Sequence, residues 1–322
     1  MARILTGIQS TGTPHLGNLL GAILPAIKMA NDEKNEAFLF IADLHSLTQI
    51  KDGEQLRENT YSTAAVWLAC GLNPENTVFY RQSDVPEVTE LAWYLLCFFP
   101  VSRLELAHGY KDKKDRLSDV NGGLFTYPML MAADILLYDA EEVPVGKDQL
   151  QHLEMTRDVA SRFNHIHGDI FVLPKDRTDE ATKLVPGTDG EKMSKSRNNF
   201  INIFLPEKEL RKQVMSIVTD SKGLEDVLNP DECHVFAIYQ LLADAEQLAI
   251  MRENYERTDF GYGHAKLALY ELILTKFAKN REIYTHLMNN RDEIDAALTI
   301  GAQKARMVAQ GVLKRVRKCV GY

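Results

Sequence analysis

Three stretches of this 322-residue chain combine residue types that can handle phosphate or hold a buried charge. The first runs Gln9-Ser10-Thr11-Gly12-Thr13-Pro14-His15-Leu16-Gly17-Asn18. Gly12 and Gly17 bracket four residues ahead of a predicted helix, whose N-terminus favours an anion. Asn18 and Leu19 stand where a Walker loop has Lys and Ser or Thr, and no G-x-G-x-x-G is present, so both of those fingerprints fail. A helix-capping turn explains the stretch equally well. The second is Lys192-Met193-Ser194-Lys195-Ser196. Two lysines separated by small hydroxyl residues suit a polyphosphate clamp, although a charged, glycine-flanked loop is usually just solvated. The third is Asp134, set in a helical run with Met131, Ala132, Ala133, Ile135, Leu136 and Leu137. An unpaired buried carboxylate is costly, so it needs a donor, for which an Arg or a backbone amide is the simplest candidate.

Other polar residues have plainer readings. His45 fits a satisfied strand-end position, and His165 and His167 fit a surface, since no acid or cysteine completes a metal set around them. Lys113 belongs to a charge run from Lys111 to Arg116, a pattern typical of a solvated face. The C-terminal bases Lys304, Arg306, Lys314, Arg315, Arg317 and Lys318 lie in a stretch without an acid from Gly301 onward. That stretch is either an exposed helix face or a contact surface for nucleic acid. A local surface of this kind would be needed, because 37 bases against 45 acids give a net charge of −8 that repels phosphate globally.

These groups must be positioned by a folded scaffold. At 45% hydrophobic and 25% charged residues, the composition is that of a globular protein and excludes disorder, collagen and coiled coil. Cys70, Cys97, Cys233 and Cys319 form no C-x-x-C pair, and no leader-like or membrane-length apolar run stands out, so a cytoplasmic protein with reduced thiols is expected. Candidate strands at Arg3 to Ile8, Ala37 to Ala42, Thr77 to Arg81 and Glu142 to Val145 alternate with helical patterns at Leu16 to Ala30, Glu54 to Cys70, Glu87 to Phe98 and Tyr127 to Tyr138. This predicts an α/β domain, a doubly wound parallel sheet, whose ligands lie beyond the strands' carboxyl ends. From about Pro206, helical periodicity recurs through Ala237 to Ala243, Lys266 to Phe277 and Ile294 to Val316, so a mostly helical second domain is expected. The polar join from Pro174 to Leu205 reads as a mobile loop.

The pentapeptide Lys192 to Ser196 matches the signature of the class I aminoacyl-tRNA synthetases without a departure, and His15-Leu-Gly17-Asn18 is close to their H-I-G-H tetrad. Tyr127-Pro-Met-Leu-Met131-Ala-Ala-Asp134-Ile-Leu-Leu-Tyr138, Val143-Pro-Val145-Gly146-Lys147-Asp148-Gln149-Leu-Gln-His152, Gly7-Ile-Gln9, the Asp43-x-His45 pair and Val218-Thr-Asp-Ser221 resemble the bacterial tryptophanyl family over most of the chain. Departures are Asn18 for the second histidine, Leu5 for an aromatic, Lys147 for a glutamate, and the segment Ala181 to Glu191.

The resemblance implies a Rossmann-like catalytic domain over residues 1–204 and a helical tRNA (anticodon)-binding domain over 205–322, whose last helix can pack back on the first. It implies that Lys192, Lys195 and Gln9 serve catalysis. ATP would be bound by Gln9, Ser10, Thr11, Gly17, Asn18, Gly146, Lys147, Asp148, Val185 and the pentapeptide Lys192, Met193, Ser194, Lys195 and Ser196. Tryptophan would be bound by Asp134, which would accept the indole N–H, with Tyr127, Met131, Gln149, His45, Gly7, Val143 and Val145 around it. It further implies L-tryptophan, ATP and tRNA(Trp) as partners of a homodimer with no membrane association. Mg²⁺ would be carried by the triphosphate, with no protein-bound zinc or iron–sulfur cluster. A tyrosine-charging relative and a catalytically silent RNA-binding paralogue are the alternatives, both separated by amino-acid-dependent pyrophosphate exchange.

Overall fold

Short runs of β-branched and aromatic residues with polar caps build a central sheet. The computed structural model describes residues 2–107, 110, 120–146, 149–177 and 185–322. Its strands are β1 (Ala2–Ile8), β2 (Asn35–Ile41), β3 (Val78–Arg81), β4 (Glu142–Pro144) and β5 (Lys175–Arg177), in the order β3-β2-β1-β4-β5. Every neighbouring pair is parallel. Ala37 to Ile41 of β2 are all buried, as expected of a parallel strand covered on both faces. The strand order reverses between β1 and β4, which places a ligand crevice at the carboxyl end of β1. Gly7 is exposed there although its strand is central.

The α-carbon contacts divide the chain into two units that do not follow the expected boundary at 204/205. One comprises Met1–Gly12, Ala26–Glu180 and Asn290–Tyr322; the other comprises Thr13–Pro25 and Ala181–Asn289. In the first, helices Gly53–Ala69, Glu87–Phe98, Gly122–Leu136, Leu150–His167 and Arg291–Val320 accompany the sheet. Asp52 and Asn121 cap two of them by accepting the N–H groups of Gln55 and Leu124. The core gathers Phe38, Tyr80, Leu91, Leu136 and Tyr138, each large side chain contributing about 1.5–3 kcal/mol by burial. The last helix packs against β3 so closely that a Cβ on Gly301 would lie 1.7 Å from the Phe79 carbonyl oxygen.

The second unit holds helices Glu207–Met215, His234–Tyr239, Ala245–Tyr255, Tyr262–Lys276 and Ala278–Asn289. Val235, Phe236, Tyr255, Leu269 and Ile273 are buried in it. The helix expected from Leu16 to Ala30 covers those residues, with a π-helical segment at Leu19–Ile23 between α-helical Leu16–Asn18 and Leu24–Ala30. One local expectation needs correction. The join expected as a loop from Pro174 contains β5, paired to β4, and an antiparallel bridge between Pro186 and Lys192. Among the described residues, no helix is long and apolar enough to cross a membrane.

Candidate active site

The sheet unit carries a chain of buried polar side chains around Asp134. The Gly122–Leu136 helix presents this carboxyl, 3% exposed, to the ends of β2 and β3. Its Oδ2 lies 2.9 Å from His45 Nε2. The Gln82 side-chain nitrogen donates to Oδ1 at 2.8 Å and Oδ2 at 3.0 Å. His45 follows β2 and Gln82 follows β3, so the donors come from neither an Arg nor a backbone amide. The His45 backbone N–H donates to Gln82 Oε1 at 3.3 Å, which settles the way the Gln82 amide faces. Burial pushes the Asp134 carboxyl above the ordinary carboxylate range, while the hydrogen bonds from His45 and Gln82 pull it back down.

Tyr127, one helical stretch before Asp134, meets the His45 ring edge-on at 6.3 Å between centroids. Its hydroxyl bonds His152 Nε2, and His152 Nδ1 lies 3.1 Å from Gln149 Oε1. Four expected tryptophan contacts, Asp134, His45, Tyr127 and Gln149, are therefore joined in one network. Gln82 and His152, both at most 3% exposed, are members that sequence reasoning missed. Gln82 stands directly after a strand, at the carboxyl end where the ligands of a parallel sheet lie. Of the expected apolar walls, Val143 is buried in the core, and Met131 and Val145 are partly buried against it. Gly7 leaves room for the Phe40 ring, whose atoms approach to 2.5 Å from where a Cβ would sit.

Of the first loop, Gln9 is exposed and Thr11 half-buried. Ser10 is fully buried and its hydroxyl bonds Ser46 Oγ at 3.2 Å, so that side chain fastens the loop. Gly146 is exposed, whereas Lys147, Asp148 and Lys113 lie outside the described residues.

The helical unit contains the other group. His15 Nδ1 accepts the Asn18 N–H and Asn18 Oδ1 accepts the His15 N–H, both at 3.2 Å, a reciprocal cap of the short helix. Burial, and then the charge of Lys195, hold the His15 imidazole down at about 4. It is neutral at pH 7, and with Nδ1 accepting, its proton sits on Nε2 as a donor. Gly17 donates its N–H to Met193 Sδ at 3.2 Å, and a Cβ there would meet His15 at 3.0 Å. The tetrad and the pentapeptide are thus fastened by Met193, which is 3% exposed. Val185, also buried, accepts the Met193 N–H at 3.0 Å.

Asn199 ties this loop together and was not legible in the sequence. It accepts the Ser194 N–H at 2.7 Å and donates to Asp189 Oδ1 at 2.7 Å and to the Lys192 carbonyl at 3.1 Å. Ser194 and Ser196 hydroxyls pair at 2.7 Å, and Lys192 is exposed. Burial lowers the Lys195 ammonium to about 8. The group is a neutral imidazole and two lysines, one partly desolvated, a chemistry that suits phosphate oxygens.

Four of the C-terminal bases have partners within the sheet unit. Arg306 bonds Glu87, Arg315 bonds Asp139, Arg317 bonds Glu90, and Lys304 reaches the Glu75 carbonyl. Lys314 and Lys318 are exposed.

The family described as tRNA synthetases class I (W and Y) matches residues 1–278. The tryptophan–tRNA ligase of Rhodopirellula baltica is 47% identical over 319 residues, 99% of either chain. A crystal structure of tryptophanyl-tRNA synthetase from Campylobacter jejuni complexed with ADP and tryptophan matches at 45% identity with a TM-score of 0.96, covering 99% of this chain and 100% of that one. The Mycoplasma pneumoniae tryptophanyl-tRNA synthetase structure matches at 28% identity with a TM-score of 0.82, covering 100% and 98%.

Proposed function

This chain belongs to the class I tRNA synthetases for tryptophan and tyrosine, and from that membership we propose that it charges tRNA(Trp) with L-tryptophan in two steps. In the first, a tryptophan carboxylate oxygen bonds the α-phosphorus of ATP while the bond from that phosphorus to the bridging oxygen breaks. The products are tryptophanyl-adenylate and pyrophosphate. In the second, the terminal ribose hydroxyl of the tRNA takes the aminoacyl group and AMP leaves.

Tryptophan over tyrosine is supported by the 47% identity to a tryptophan–tRNA ligase, and the Asp134 carboxylate, buried and aimed by His45 and Gln82, offers an acceptor to the indole N–H. Tyr127 and Gln149 receive the substrate ammonium, and Met131, Val143 and Val145 face the ring. Little covalent work falls to the protein, whose contribution is positioning and charge placed where the phosphates gain it. Lys192 and Lys195 hold the phosphates, His15 Nε2 donates to them, and Gln9, Thr11, Gly17 and Asn18 hold the nucleotide. Gly146, Lys147 and Asp148 bind its ribose and Val185 its base.

Mg²⁺ arrives on the triphosphate and neutralises its charge. The described residues include no group of three or more His, Cys, Asp or Glu placed to hold a metal, and phosphate oxygens suit a hard cation. The helical domain over residues 205–322 binds the tRNA, and the resemblance supports a homodimer working in the cytoplasm. Pyrophosphate exchange with each of the twenty amino acids tests the reading: tryptophan alone should support it, and tyrosine-dependent exchange or none at all would overturn it.

A further inference from the structure

Gln82 has no assigned part in the reaction, yet it touches both oxygens of the carboxylate on which side-chain recognition rests. We propose that Gln82 is a positioning residue for substrate specificity, which keeps Asp134 an acceptor and leaves one free lone pair, on Oδ1, for an indole N–H. The inference rests on the tryptophan reading and goes beyond it.

A carboxylate offers about four lone-pair sites. Gln82 takes one on each oxygen and His45 takes the second on Oδ2, so among the described residues the remaining site is on Oδ1. The direction of these bonds is fixed as well. The His45 N–H can only donate, so it claims Gln82 Oε1 and turns the amide nitrogen toward Asp134. A nitrogen in that place can only donate, so it meets Asp134 favourably as a carboxylate and unfavourably at an oxygen that carries a proton. Gln82 itself is 1% exposed, so no water replaces it readily.

Burial acts in the opposite direction. It pushes the Asp134 carboxyl toward its protonated form, and the neighbouring Asp43 pushes the same way. His45 and Gln82 both favour the carboxylate form; without Gln82 one of these two donors is lost, and any protonated Asp134 donates as well as accepts. It then discriminates poorly between an indole N–H and a ring atom that only accepts. Gln82 therefore acts through Asp134 on selection of the side chain and not on the phosphate chemistry.

The test compares tryptophan with β-(3-benzothienyl)alanine, in which sulfur replaces the indole N–H, using pyrophosphate exchange by the full-length protein. Wild type should favour tryptophan by roughly 10³-fold or more in kcat/KM, as expected where a site is built around one donor. Gln82→Met, of similar length and without the amide, should reduce that ratio at least tenfold, chiefly through KM for tryptophan, with KM for ATP within about twofold of wild type. Gln82→Asn keeps the amide one methylene short and should give an intermediate ratio, and it serves if the Met variant does not fold. In an Asp134→Asn background, Gln82→Met should leave the ratio within about twofold, because the group it acts through is gone. Equal losses on both amino acids in Gln82→Met or Gln82→Asn would overturn the proposal, as would an undiminished effect in the Asp134→Asn background. Absence of tryptophan exchange by wild type would instead overturn the tryptophan reading.

Discussion

A lysine held at about 8 is partly discharged under mildly alkaline conditions, and that gives Lys195 a measurable signature. Its ammonium is the useful form, so kcat/KM for ATP should decline as pH rises through about 8, where the free enzyme loses that proton. Lys195→Arg should move this limb out of range, and Lys195→Ala should lower kcat for exchange by about 10² or more. A flat profile to pH 10 in wild type would remove Lys195 from the phosphate site. Asp134 also accepts from two buried donors. Truncation to Ala strands the Gln82 amide and the His45 ring, two buried donors at about 1–3 kcal/mol each, so Asp134→Ala should lower the melting temperature as well as activity. Asp134→Asn is the cleaner probe: tryptophan should lose roughly 2 to 4 kcal/mol of transition-state binding while rejection of phenylalanine collapses, both read from kcat/KM. A preserved preference ratio would make Asp134 a purely structural carboxylate.

The Arg291–Val320 helix can be tested with two glycines of opposite sign. Gly301 has Phe79 backbone where a side chain would go, whereas nothing lies within 4 Å of a Cβ on Gly311. Gly301→Ala should destabilise the protein by about 1–3 kcal/mol or more through overpacking. Gly311→Ala should stabilise it by up to about 1 kcal/mol through helix propensity, both read from denaturant melts. Arg315 and Arg317 belong to the same packing, so neutralising them should shift the melting temperature and leave the salt dependence of tRNA binding unchanged. A flattened salt slope would return them to a nucleic-acid surface. This pairing was hidden in the sequence because the acids that take up these bases stand 176 and 227 positions away. β1 to β4 were legible, being apolar runs with clear stops. The three residues of β5, Lys-Asp-Arg, have no hydrophobic pattern and become a strand only because β4 offers an edge. The pentapeptide was legible as chemistry, but Asn199, which holds its backbone, is one asparagine among many until the loop is folded around it.

Across the whole molecule, the chain passes between its two units at residues 12/13, 25/26, 180/181 and 289/290. The sheet unit therefore draws its last component from the far end of the described chain. Arg306 and Glu87, which join that helix to the Glu87–Phe98 helix, are 219 positions apart. On a ribosome adding about 5–20 residues per second, β3 waits roughly ten to forty seconds for the helix that shields it. During that interval the nascent protein carries an unfinished apolar surface and depends on chaperones or on the speed of elongation to escape aggregation. Arrested nascent chains ending near residue 289 should be cut by protease around β3, and chains arrested after the final helix has cleared the exit tunnel should resist.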